Sequence, residues 1–419
     1  MKKQSTVLRT AIGIVGVLLI AFLVWSMVDT LARDSSDAEA HFNTGLAHLE
    51  TAYEKGGAYA PEGIAALQDA ISEFTQAIEL DHDYAVAYYD RGLAAIELVH
   101  FYYRPFSQET EELFSGAVDD FETAIDLDST LYLAYAGLGN AYDRYGEFED
   151  AVDWYDKALD HETEILEHWG EEALANIFYS RGRAYQRVED YRAIDDYETA
   201  LEWSPNHDYT LSHLAAVYVV LGEYEDAIDM YNQSVAVKES KPALGMWDYH
   251  SWEGRGLCYY YMGEYDEAIQ DFEEALDIAY WPLPDAYLGL GMTYLKVGDE
   301  AKGDENLDTA IALCTQTIED AQAPGEVFAE YNTRGLAYVG LGQYDAAILD
   351  FQKVIEFGPP FVYGHVYYEV EGHKNIGIAY SGMGDNDQAE QYYQEALSMA
   401  EARELNFSKI EIEELLSGL

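Results

Sequence analysis

His161, Glu164 and His168 stand three and four residues apart, a spacing that puts all three on one face of a helix. Two imidazoles and a carboxylate could begin a zinc site. Zinc requires a further ligand and outer partners that orient the first ones, and the neighbouring sequence supplies neither. Helices this rich in glutamate produce such spacings by coincidence, and no metal is expected. Cys258 and Cys314 are far apart, without CxxC or metal-ligand spacing, and read as small buried residues. There is no glycine-rich phosphate loop, HExxH, GxSxG or Cys-His pair at usable spacing. A non-enzymatic chain without cofactor is expected. Asn232 and Asn406 open formal glycosylation sequons, of which only Asn406 reads as accessible.

The elements carrying these residues are helices. Between Trp252 and Tyr280, apolar and small residues recur at three- and four-residue steps through Trp252, Gly256 and Tyr259, then Tyr265, Ala268, Phe272 and Ala275. Gly263 separates the two runs and can take positive φ to close the first helix. The result is a helical hairpin. Gly256, Ala268 and Ala275 would allow close backbone approach, while Trp252, Tyr259 and Phe272 fill the space.

The same pattern returns at Tyr135, Leu138, Gly139, Tyr142, Gly146, Phe148, Ala151, Tyr155 and Ala158, and at Tyr331, Gly335, Tyr338, Gly342, Tyr344, Ala347, Phe351 and Pro359. It resembles the tetratricopeptide repeat, a helix-turn-helix unit of about 34 residues. Pinned by a small mid-helix residue, nine units follow: Gly45, Gly92, Gly139, Gly182, Ala215, Gly256, Gly291, Gly335 and Gly377. The resemblance implies an all-α, right-handed α-solenoid of about nine units over 38–402, with 403–419 as a C-terminal capping helix. Ser408 and Glu411 there have capping-box spacing. Unit four lacks the glycine turn, and unit seven has Gly303 where alanine belongs; these joints are expected to be softer.

Arg91, Arg181, Arg255 and Arg334 precede the small residue in even units, whereas Leu138, Leu214, Leu290 and Ile376 do so in odd ones. Each arginine is expected to lie on apolar surface and reach an acidic neighbour. Units one and two each insert about 13 residues between their helices, the second insertion bearing Phe101, Tyr102, Tyr103 and Phe106. Equal insertions in adjacent repeats stack on one face, where they either lengthen and pack the helix ends or bind.

Residues 1–9 form a basic tail, and Thr10 to Val28 is uncharged and long enough to cross a hydrocarbon layer of about 30 Å. Lys2, Lys3 and Arg9 precede this run, so a transmembrane signal anchor at 10–28 is expected, with the N-terminus cytoplasmic, a linker at 29–37 and the repeats extracytoplasmic. Cleavage near Ala32, giving a secreted protein, is the alternative. The chain has 79 acidic against 23 basic residues, a net charge of −56, and every acid follows Val28. Nucleic acid is thereby disfavoured. Basic proteins, and divalent cations on the acidic surface, are attracted.

In the family that this chain resembles, ligands lie along one face of the first helices. That face here carries Asn140, Asp143 and Arg144; Asn176, Tyr179, Arg183, Gln186 and Arg187; Tyr209 and Ser212; Glu253, Tyr260 and Tyr261. The resemblance implies a peptide-binding groove made of Asn140, Arg144, Asn176, Tyr179, Arg183, Gln186, Arg187, Tyr260 and Tyr261. Guanidinium and amide groups there could hold a carboxylate or an extended backbone, similar to the carboxylate clamp of chaperone-binding relatives but without its lysines. Alternatively the arginines neutralise Glu189, Asp190, Asp195 and Asp196. The expected function is a membrane-anchored scaffold for protein or peptide partners, against a self-assembling fibre or envelope protein as the alternative.

Overall fold

The computed structural model describes residues 36–55, 57, 60–101, 108–240, 249–279, 282–321, 327–357, 365–403 and 405–419. The apolar run 10–28 and most of the second aromatic insertion lie outside the described residues. Among the described residues no helix is long and apolar enough to cross a membrane.

Regular structure among these residues consists of nineteen α-helices, and no strand. They pair in chain order: α1 (Ser36–Glu54) with α2 (Pro61–Leu80), α3 (Ala85–Phe101) with α4 (Gln108–Leu127), α5 (Leu133–Tyr145) with α6 (Phe148–Leu159), and α7 (Glu162–Arg187) with α8 (Arg192–Trp203). Next come α9 (Asp208–Val220) with α10 (Tyr224–Ser240), α11 (His250–Met262) with α12 (Tyr265–Ile278), and α13 (Pro284–Val297) with α14 (Glu300–Asp320). Then follow α15 (Phe328–Gly340) with α16 (Tyr344–Phe357), α17 (His365–Met383) with α18 (Asn386–Ala402), and finally α19 (Asn406–Ser417).

The small residue at mid-helix exists because an aromatic ring fills the place of its missing side chain. A Cβ on Gly139 would lie 2.6 Å from the Tyr155 ring, and Tyr155 is fully buried. Phe121, Phe272 and Phe351 stand in the same relation to Gly92, Gly256 and Gly335. Phe272 also fills the space against Gly289 of the next unit, so one ring joins two hairpins. At unit seven, Leu295 packs so closely that a Cβ on Gly303 would come within 2.5 Å of it. The glycine there is a packing requirement rather than a defect.

Gly263 closes α11 at φ 81° as expected. In unit four this left-handed place is taken by Glu189 at φ 54°, the one non-glycine residue with positive φ among those described.

Four arginines tie helices together. Arg255 donates through Nε and Nη2 to Asp271 at 2.7 Å each, and through Nη1 to Asn232 Oδ1 of the preceding unit. Arg91 holds Asp120 and Thr75, Arg181 holds Asp196 and Asp156, and Arg334 holds Asp350 and Thr315. Each guanidinium fork therefore joins its own second helix to that of the preceding hairpin, with the bidentate geometry that carboxylates favour.

The chain forms two compact units. The first comprises residues 1–185 with 195–205, and the second 186–194 with 206–419. The first has a continuous core from Phe42 to Ala200, through Leu67, Phe74, Phe121, Tyr155 and Trp169. Within the second, α19 packs Ile412, Leu415 and Leu416 against Val370, Tyr393 and Ala396 of the ninth hairpin.

The capping box at Ser408 does not form, because α19 begins one turn earlier with Leu405 as its N-cap. Ser408 instead gives its backbone N–H and its hydroxyl to the Glu189 carboxylate, at 2.7 and 2.6 Å. Asn406, expected to be accessible, donates its side-chain amide to the Glu189 carbonyl at 3.0 Å.

Candidate functional site

Three consecutive first helices of the first compact unit, α3, α5 and α7, line a cavity of about 170 Å³. Its walls repeat the same helical positions. Two residues before the mid-helix glycine stand Asp90, Gly137 and Ser180; one residue after it stand Leu93, Asn140 and Arg183. Tyr53, Tyr89, Glu97, Arg144, Tyr155, Asn176 and Tyr179 complete the polar lining.

Five of the expected groove residues meet here: Asn140, Arg144, Asn176, Tyr179 and Arg183. Gln186, Arg187, Tyr260 and Tyr261 belong to the second compact unit, and none of them lines the cavity. Gln186 Oε1 faces His213 Nδ1 at 2.9 Å, and Arg187 is exposed. Tyr261 stacks on Tyr224 with centroids 5.3 Å apart and meets Tyr260 edge-on.

The arginines on the lining are not an open cationic patch. Arg183 donates through Nη2 to the buried carboxylate of Asp143 and lies over the Tyr179 ring at 5.9 Å. Arg144 stands near Tyr53, Tyr155 and Tyr179, and its charge favours their ionised forms against the stronger opposing effect of burial. The tyrosine hydroxyls nevertheless stay protonated. Tyr155 donates to Asn140 Oδ1 at 2.9 Å, which fixes that amide's orientation. Of the four acids weighed as partners for the arginine patch, Asp196 is held by Arg181 and Asp190 by Arg192, while Glu189 receives Ser408.

The group that sequence reasoning missed is Asp90. It is 1% exposed, and neither carboxylate oxygen has a hydrogen-bond partner. Burial pushes its carboxyl well above the ordinary range. Its neighbour Arg91 cannot serve it, because adjacent residues on a helix point about 100° apart and Arg91 is bound to Asp120 and Thr75. A signal was present. At the place two before the mid-helix residue, the other eight units carry Asn43, Gly137, Ser180, His213, Gly254, Gly289, Thr333 and Asn375, and only unit two carries an acid.

His161 stacks on Tyr132 at 4.0 Å, and His168 Nδ1 lies 2.8 Å from the backbone oxygen of Glu164. The two histidines thus serve packing and helix contacts. Cys258 and Cys314 are fully buried, and burial pushes both thiols up to about 12.

Three tetratricopeptide-repeat family profiles match the sequence, at residues 111–163, at 251–279 and 370–401, and at 331–359. These segments are tetratricopeptide repeats. The first match runs from α4 through the hairpin α5–α6, and the others coincide with hairpins α11–α12, α17–α18 and α15–α16.

Among curated proteins, the chain is 26% identical over 156 residues to BBSome complex member BBS4 of Bos taurus, covering 37% of this chain and 26% of that protein. It is 31% identical over 112 residues to photosystem I assembly protein Ycf3 of Synechococcus sp. (strain CC9605), covering 25% of this chain and 62% of that protein. The chain thus spans less than two thirds of these relatives. The solved apo form of RapI is similar in fold, with a TM-score of 0.58 at 14% identity over 88% of this chain and 99% of RapI.

Proposed function

We propose that this protein is a scaffold that holds an extended segment of a partner protein against the first helices of repeats two to four, with the cavity at Asp90, Asn140 and Arg183 as the anchoring point. The observation that carries this reading is the cavity itself. Equivalent positions of three successive repeats converge on it, and its lining sets Asp90, Glu97, Asn140, Arg144, Asn176 and Arg183 among apolar residues such as Leu93, Ile96 and Leu133. Tetratricopeptide repeats support a role in protein-protein interaction, and no residue constellation on the lining resembles a nucleophile-base pair.

The run 10–28 anchors the scaffold in a membrane in this reading, with the repeats on the extracytoplasmic side. Its support is the length of the uncharged run and the basic residues before it.

Affinity capture from membrane extract, using the full chain and a Ser180→Trp variant that fills the cavity, tests the site. A partner held by the native chain and lost by the variant is the expected result. Equal capture by both would remove the cavity from the binding surface.

A further inference from the structure

A buried carboxylate without a partner is costly unless it is protonated or receives a counter-charge. Asp90 has no such charge from its own fold: Arg91 faces Asp120, and Arg183 is engaged by Asp143. Its immediate surroundings also favour a cation over an anion. Tyr53, Tyr89 and Glu97 line the same cavity as Asp90, so an entering positive charge meets two acids, and no hydrogen-bond partner of the Asp90 carboxylate competes with it. Of the two arginines on the lining, Arg183 is already engaged by Asp143, and Arg144 stands by Tyr53, Tyr155 and Tyr179.

The cavity is far larger than a single water requires and has room for one extended side chain. The net charge of −56 draws basic partners towards the surface before any specific contact forms.

We infer that the cavity receives the cationic head of a lysine or arginine side chain from a partner polypeptide, with Asp90 as its counter-ion. This rests on the reading of the cavity as a partner-binding site. It reverses the polarity that the arginines alone suggest: the partner segment is recognised by a positive side chain rather than by a terminal carboxylate.

The full chain, its Asp90→Asn variant and a Glu122→Gln control of equal net charge are presented to an array of blocked peptides. At one position these carry lysine, arginine, norleucine or glutamate. Free butylammonium is added in a separate arm as competitor. The expected result is a preference for lysine or arginine over norleucine on the order of tenfold or more, as for a desolvated charge pair. That preference is lost in Asp90→Asn and kept in Glu122→Gln.

Peptide binding without basic preference, or a preference equal in all three proteins, would overturn the inference while leaving the cavity as a peptide site. No peptide binding by any of the three would overturn the cavity's role as a peptide site, and the inference with it. Full competition by butylammonium at concentrations equal to those of the peptides would assign the site to a small amine and overturn the polypeptide source.

Discussion

Arg183 donates through Nη2 to the Asp143 carboxylate, across two successive repeats of the first compact unit. This pair removes one of the two arginines of the cavity lining from ligand recognition. The unanswered charge at the same cavity is then Asp90. Removing Arg183 should therefore act on the fold first. Arg183→Ala leaves a buried carboxylate at Asp143 and is expected to cost about 3–5 kcal/mol, read by chemical denaturation. A stability change below about 1 kcal/mol would mean that the pair behaves as a surface contact.

Asp90→Asn should stabilise the protein at neutral pH. The folded-state pKa of Asp90 is raised by burial, so its favourable contribution is complete below the unfolded-state pKa and is lost as pH rises through the folded one. The groups facing it are Tyr53, Tyr84 and Tyr89, with Glu97 and Arg144 on the same cavity. Melting temperatures of the native chain and the variant should converge near pH 4 and separate in the variant's favour as pH rises. A gap that closes with rising pH would contradict the assignment.

The arginine ties should tolerate exchange only in pairs. Asp350 is 5% exposed, so Arg334→Leu leaves it buried without a counter-charge, at an expected cost of about 3–5 kcal/mol. Arg334→Leu with Asp350→Met is expected to recover most of that loss, since buried ion pairs and apolar pairs of similar volume are often equivalent. Denaturation of both variants checks this, and a double variant no more stable than the single one would refute it.

That pairing was legible in the sequence through internal comparison. Fifteen residues after the mid-helix small residue, the repeats with arginine carry Asp271 and Asp350, whereas those with leucine or isoleucine carry Trp154, Met230, Asn306 and Tyr392. Unit four, one residue shorter, carries Asp196 at the matching place.

The hairpins were legible for the same reason. Glycine opposite an aromatic ring leaves a periodic mark, as at Gly139 and Tyr155. The site was only half legible. The face carried onto the sequence began at unit three and so omitted Asp90, and no local pattern distinguishes Arg183, turned onto Asp143, from an arginine that faces solvent. The contact between Glu189 and Ser408 could not be read at all, because 219 residues separate them.

The Glu189–Ser408 contact should hold α19 in place. Glu189→Ala removes the acceptor of two hydrogen bonds from Ser408, one of them a first-turn N–H of that helix. A loss of about 1–3 kcal/mol is expected, with faster amide exchange confined to residues 406–417. Unchanged exchange there would show that apolar packing through Ile412 suffices.

The most direct measurement places a photo-crosslinking amino acid at Leu93, on the cavity wall with Asp90, in the full chain within its source cells. The same group at the exposed Glu122 serves as the outer-surface control. Mass spectrometry then reads the crosslinked segment. One partner protein joined at Leu93 alone, through a segment bearing lysine or arginine at the crosslink, and lost on Asp90→Asn, is the expected result. Equal crosslinking from both positions, or a Leu93 segment without a basic residue, would contradict it.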